Sequence, residues 1–175
     1  MPQAASPGRV LIVDDEPSFG QFVSEALKEL GYRVTYADRP SEGLARLAES
    51  PYDVAVLDLN LPEMDGIALA HRIKEKSPDT QVIMLTGNPD MESAIGGIHE
   101  GVFDYLQKGD IKIARLEKSV SEACEKLRLV RENRELLRRL AESNRLLTTL
   151  HEMAATLVGE HHLDRVLDGI VRCAR

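Results

Sequence analysis

Five side chains in the first 110 residues have the types that handle charge: the acidic pair Asp14-Asp15, then Asp58, Thr86 and Lys108. Three carboxylates gathered in a partly desolvated place repel each other by several kcal/mol unless a cation holds them together. The donors are oxygen alone, with no histidine or cysteine beside them in sequence, which suits Mg²⁺ or Mn²⁺ rather than zinc. The fixed positive charge of Lys108 and the hydroxyl of Thr86 would complete a pocket for an anion with tetrahedral oxygens. That set of groups makes a phosphoryl site, provided that the fold brings them together.

The elements that must do so are legible in the chain. Short apolar runs rich in β-branched residues, RVLIV, YRVTYA, DVAVLDL, QVIMLTG and VFDYLQK, alternate with segments carrying apolar residues at 3-to-4 spacing. Little alternation within the strands implies a mostly parallel sheet covered on both faces, an α/β fold. Pro17 suits a first helical turn, Gly31 a C-cap, Pro40 or Ser41 a second start, Asp65 a third N-cap and Ser77-Pro78 a stop. In open parallel sheets the binding crevice lies beyond the carboxyl ends of the strands. Asp14-Asp15, Asp58, Thr86 and Lys108 each follow or end such a run, which is why a hydrophobic strand can lead straight into a cluster of acids.

Composition narrows the function classes. A chain of 175 residues, 43% hydrophobic, buries one core of ordinary domain size with a smaller element attached. No run approaches the ~20 apolar residues of a membrane span, and MPQAASPGRV lacks the order of a signal peptide, so a cytoplasmic protein without membrane contact is expected. Residues 1–110 carry a net charge of -10 and residues 111–175 one of +3, so the halves differ in kind and the first does not bind nucleic acid directly. Cys124 and Cys173 are far apart and lack metal spacing, which excludes a disulfide framework or zinc site.

Over residues 8 to about 125 the sequence resembles the receiver domain of bacterial response regulators. The acidic pair after the first strand, DLNLPEMDG (Asp58 to Gly66) after the third, VIMLTG with Thr86 and FDYLQK with Lys108 carry the resemblance, all in order and each at a strand end. It implies a flavodoxin-like five-stranded sheet and a phosphoryl group accepted on Asp58 from a histidine kinase or histidine phosphotransfer protein. It also implies Mg²⁺ (or Mn²⁺) held by Asp15, Asp58 and the Asn60 backbone carbonyl, with Asp14 acting through water. Lys108 and Thr86 would contact phosphoryl oxygens, Tyr105 would change rotamer as Thr86 moves, and Asn60 and Asn88 would tune phosphate lifetime. Each residue alone has an ordinary alternative: helix capping for Asp14 and Asp15, a local backbone bond for Thr86, a solvated charge for Lys108, core packing for Tyr105. One departure is Gly109, where the family usually has proline, leaving the loop after Lys108 less rigid.

From Ile111 to about Leu157 the chain has no proline or glycine and reads as one long helix. Leu116, Val120, Ala123, Leu127 and Val130 form one 3-4 set; Leu136, Leu140, Leu147, Leu150, Ala154 and Leu157 form another, one residue out of phase. The pair reads as a two-stranded coiled coil with a register discontinuity near Arg131 to Glu135, hence a homodimer through the 111–157 helix. His151-Glu152 echoes the phosphorylated pair of histidine kinases without the residues that follow it there, and reads as an exposed helix histidine; His161-His162 lack the i, i+4 spacing of a metal pair. After Gly159 a fresh amphipathic pattern resembles the entry helix of a GAF sensor domain. The expected organisation is an N-terminal tail (1–8), a receiver (9–125), a coiled-coil linker (126–158) and the start of a further domain (159–175). The function expected is a phosphoryl-accepting switch that catalyses its own transfer and hydrolysis and relays its state to an output domain outside the chain. The alternative is a pseudo-receiver that only dimerises.

Overall fold

The computed structural model describes residues 8–87 and 101–173, with side chains as far as Ala154 save that of Asp110. Asn88, the connection expected between the fourth and fifth strands, and the side chains of His161, His162 and Cys173 lie outside the described residues. The chain divides into two units, Met1–Leu129 and Val130–Arg175.

In the first unit every apolar run forms a strand: β1 (Arg9–Val13), β2 (Arg33–Ala37), β3 (Val54–Asp58), β4 (Gln81–Thr86) and β5 (Val102–Gln107). All four pairings are parallel and the order is β2-β1-β3-β4-β5. Helices α1 (Pro17–Glu29), α2 (Pro40–Glu49), α3 (Gly66–Lys76) and the first part of α4 (Ile113–Cys173) supply the cover. The period of two along each strand sorts the core into two layers. Leu11, Val13, Ala55, Leu57 and Met84 cluster with Leu47 of α2 and with Leu69 and Ile73 of α3. Val10, Ile12, Val54, Val56, Ile83 and Leu85 cluster with Val23 and Leu27 of α1 and with Leu116, Val120 and Ala123 of α4.

Local chemistry sets the helix limits. α1 starts on Pro17 and ends in a Schellman motif: Gly31, at φ 92°, donates its N–H to the Lys28 carbonyl, and Tyr32 donates to that of Leu27. Asp65 caps α3 by accepting the Ala68 N–H at 2.6 Å, and Ser77 ends it. α2 has no cap from its own N-cap residue. Instead Glu63, in the β3–α3 loop, accepts from the backbone N–H and the hydroxyl of Ser41 at 3.3 and 3.2 Å. Glu63 is the one described non-glycine residue with positive φ, at 69°.

The first apolar set of the long helix does something other than the sequence pattern suggests. Leu116, Val120, Ala123 and Leu127 are all 2% exposed or less, and the first three cover the sheet beside Ile83, Leu85 and Leu106. They are core of the first unit, not the start of a coiled-coil seam. The phase change near Arg131 is therefore a change of task, from covering a sheet to whatever the later leucines meet. In the second unit Leu136, Leu137, Leu140, Leu146, Leu147, Leu150 and Met153 are 53–61% exposed. Arg138 pairs with Glu135 at 3.0 Å and with Glu142 at 3.2 Å, and Arg139 with Glu135 at 2.9 Å. These pairs hold the Glu135 carboxyl down to about 2, through Arg138 first and then Arg139. The helical backbone continues through Gly159, where the sequence pattern starts afresh.

Candidate functional site

Strand register brings the acids together. Val13 pairs with Leu57 across β1 and β3, so the next residues, Asp14 and Asp58, emerge side by side at the point where strand order reverses. Asp58 itself pairs with Leu85, which sets Thr86 one step beyond it, and Thr86 pairs with Gln107, the residue before Lys108. One carboxylate oxygen from each of Asp14, Asp15 and Asp58 lies within 4.8 Å of the other two. Asp14 and Asp58 are buried, at 0% and 4% exposure, whereas Asp15 is exposed. Thr86 is buried at 2%.

Lys108 closes the cluster. Its Nζ lies 2.7 Å from Asp14 Oδ2 and donates to Asp58 Oδ2 at 2.8 Å. The same ammonium sits 4.9 Å from the centroid of the Phe19 ring, a cation–π contact from α1. Three partners surround the Lys108 end group, and residues 108–110, Gly109 among them, form a 3₁₀ turn. Asp14 Oδ1 accepts the Glu16 N–H at 2.9 Å, and Asp58 Oδ1 accepts the Asn60 N–H at 3.2 Å.

The charges are incompletely balanced. Burial raises the Asp14 carboxyl above its ordinary value even though Lys108 and the Glu16 N–H act the other way. Burial also pulls on Lys108, but its close contacts with the Asp14 and Asp58 carboxylates outweigh that and leave it above the usual lysine value. Asp14 Oδ2 is buried and makes its ion contact with Lys108 without a hydrogen bond of proper geometry. An all-oxygen cluster with a surplus of negative charge and an unsatisfied buried oxygen fits a hard divalent cation.

The structure thus joins Asp14, Asp15, Asp58 and Lys108 directly and seats Thr86 beside them. Asn60 reaches the cluster through its backbone amide. Tyr105 packs at the edge of the α2–α3 core layer; its hydroxyl is buried with no hydrogen-bond partner among the described residues, and burial raises it. Three contributors escape the sequence reading. Phe19 carries no signal beyond being apolar on α1. Glu63 gives no sign of its backbone conformation. Gly66 reads as a turn residue, whereas a Cβ there would lie 2.1 Å from the Asp58 carbonyl oxygen.

Fold and site together define a class: a doubly wound α/β domain gathering carboxylates, a lysine and a threonine at its topological switch point. Comparison with known proteins agrees. Residues 10–121 match the model of the response regulator receiver domain. The chain is 36% identical over 117 residues to the DNA-binding transcriptional regulator NtrC of Salmonella typhimurium, covering 65% of this chain and 25% of that protein. It is 37% identical over 102 residues to the probable transcriptional regulatory protein TcrX of Mycobacterium tuberculosis, covering 58% and 44%. Among solved structures, a receiver domain protein from Clostridium thermocellum superposes with a TM-score of 0.65 at 30% identity, covering 70% of this chain and 98% of that one. NtrX from Brucella abortus, solved with ATP, gives 0.69 at 30% identity, covering 74% and 29%.

The chain belongs to the response regulator receiver domain family, and its role is that of a phosphoryl-accepting receiver. Receivers of this family interact with histidine kinases and typically bind Mg²⁺ at an acidic pocket. The chain spans less than half the length of these two curated relatives. Among the described residues no helix is long and apolar enough to cross a membrane.

Proposed function

We propose that Asp58 is the phosphoacceptor, that a histidine kinase or histidine phosphotransfer protein is the donor, and that the later part of α4 carries the state onward as a homodimer. The single observation that carries the site assignment is Lys108 Nζ bridging Asp14 and Asp58 at 2.7 and 2.8 Å, with Asp15 completing the acidic cluster. One Asp58 carboxylate oxygen attacks phosphorus; the new P–O bond makes an acyl phosphate as the P–N bond of the phosphohistidine breaks and its electron pair returns to the imidazole. Lys108, already at the acceptor carboxylate, pairs with a phosphoryl oxygen, and the Thr86 hydroxyl donates to another. Asp14, Asp15, Asp58 and the Asn60 backbone carbonyl would hold Mg²⁺ or Mn²⁺, whose positive charge offsets that of the phosphoryl oxygens.

Support for the dimer is the exposed row of leucines. Leu129, Leu136, Leu140, Leu147 and Leu150 fall on one 3-4 spaced seam that also contains Asn133 and Ser143. The Glu135–Arg138–Glu142 ion pairs occupy heptad positions away from that seam. The seam contacts a second copy, and residues beyond it lead to an output domain, the GAF-like start at 159–175 among the readings.

Intact mass spectrometry after incubation with Mg²⁺ and acetyl phosphate tests the site. A gain of one phosphoryl group in the wild type, lost without Mg²⁺ and in Asp58→Asn, is expected. No gain from acetyl phosphate or from a phosphorylated histidine phosphotransfer protein would leave the dimerising scaffold as the reading.

A further inference from the structure

The Asp15 carboxylate is exposed and makes no hydrogen bond or ion pair among the described residues, yet the cation site requires it beside Asp14 and Asp58. Its position therefore depends on its backbone. Asp14, one residue earlier, is tied at three atoms: its N–H donates to the Ala37 carbonyl at 3.2 Å, its Oδ1 accepts from Glu16, and its carbonyl oxygen accepts the Tyr36 hydroxyl at 2.8 Å. The last bond matters most for Asp15, because the Asp14 carbonyl and the Asp15 nitrogen lie in one rigid peptide plane. The Tyr36 ring is itself held. A Cβ on Gly20 of α1 would fall 2.2 Å from its Cε2, so the ring occupies space that only glycine leaves open.

We propose that Tyr36 is a positioning residue for the divalent-cation site, fixing the Asp14-Asp15 peptide plane through its hydroxyl and so holding the Asp15 carboxylate in place. The inference rests on the metal reading given above.

Tyr36→Phe removes the hydroxyl and leaves the ring. Tyr52→Phe is the control, since it removes a comparable bond, from the Tyr52 hydroxyl to Thr35 Oγ1 at 3.0 Å, that does not involve the acids. Isothermal calorimetry with MgCl₂ on the full chain, thermal unfolding and acetyl phosphate labelling across a Mg²⁺ series are the readouts. For Tyr36→Phe the Mg²⁺ Kd should rise about three- to tenfold, the worth of one hydrogen bond. Labelling should fall by the same factor at low Mg²⁺ and recover at saturation, while Tyr52→Phe binds as the wild type does. Equal Mg²⁺ affinity in Tyr36→Phe and wild type would overturn the tether alone. A loss of labelling in Tyr36→Phe that saturating Mg²⁺ does not recover would also overturn it. A wild type that binds no Mg²⁺ would overturn the metal reading and the tether with it.

Discussion

Lys108→Met is the sharpest test of how the acidic site is held together. The substitution keeps an unbranched apolar stem, one atom shorter, but removes an ammonium 2.7 Å from Asp14 and 2.8 Å from Asp58, leaving a wholly buried carboxylate and a nearly buried one without their cation. Breaking a buried pair from one side costs about 3–5 kcal/mol. Asp14 can relieve part of this by taking up a proton, since burial already raises its carboxyl, so about 2–4 kcal/mol is expected in EDTA. Mg²⁺ should then act as a substitute. At ten times its Kd the ion stabilises the wild type by about 1.4 kcal/mol. In the variant it no longer competes with the ammonium for the same oxygens, and a tenfold tighter site would raise that gain to about 2.7 kcal/mol at the same concentration. Urea unfolding followed by circular dichroism, with EDTA or with MgCl₂, measures both quantities. A cost below about 1 kcal/mol in EDTA would refute the claim that Lys108 neutralises the cluster. An equal Mg²⁺ increment in both proteins would refute the claim that metal and lysine share the same carboxylates.

Four further outcomes follow from the structure. Gly66→Ala places a Cβ 2.1 Å from the Asp58 carbonyl oxygen and should cost about 3 kcal/mol or prevent folding, read from urea midpoints. Leu116→Ala should destabilise the first unit by about 2–5 kcal/mol, whereas Leu140→Ala, at a residue 58% exposed, should leave that unit's stability within about 0.5 kcal/mol and weaken self-association in sedimentation equilibrium. Asp14 has a folded value above 3.8, so between these values the native state keeps a proton that the unfolded chain has lost; metal-free stability should fall as pH rises through that window, and Asp14→Asn should abolish that step and be the more stable protein at pH 7. The Lys108 contribution runs differently: it is complete below 10.5 and lost only as pH rises through its higher folded value, which thermal melts across both ranges would separate.

The strands and the direct site residues were readable from sequence because each rests on a rule that acts along the chain. β-Branched apolar runs mark buried strands, Pro17, Pro40, Gly31 and Asp65 punctuate helices, and a parallel doubly wound sheet places its strand ends in one crevice. Asp14, Asp15, Asp58 and Lys108 then converge without further information. What stayed hidden depends on contacts between elements distant in sequence. Nothing in RVTYA says that Tyr36 turns its hydroxyl to the Asp14 carbonyl, nor in PSFGQ that Phe19 faces an ammonium supplied 89 positions later. Glu63 takes a left-handed conformation that its type disfavours, and only the bonds to Ser41 explain what its side chain gains there.

The long helix illustrates a different limit. Apolar spacing identifies a helix face but not what covers it, and one uninterrupted helix can present two faces to two partners in succession. Leu116 to Leu127 lie on the face that buries itself within the first unit, so that part needs no second chain. Exposed apolar side chains therefore begin only after Leu127, with Leu129 and the leucines from Leu136 to Leu150 left uncovered. That shortens the segment proposed to dimerise and gives the turns before it a separate role, covering β4 and β5 through Leu116, Val120 and Ala123. The same helix carries both faces because neither glycine nor proline interrupts it between Ile111 and Val158.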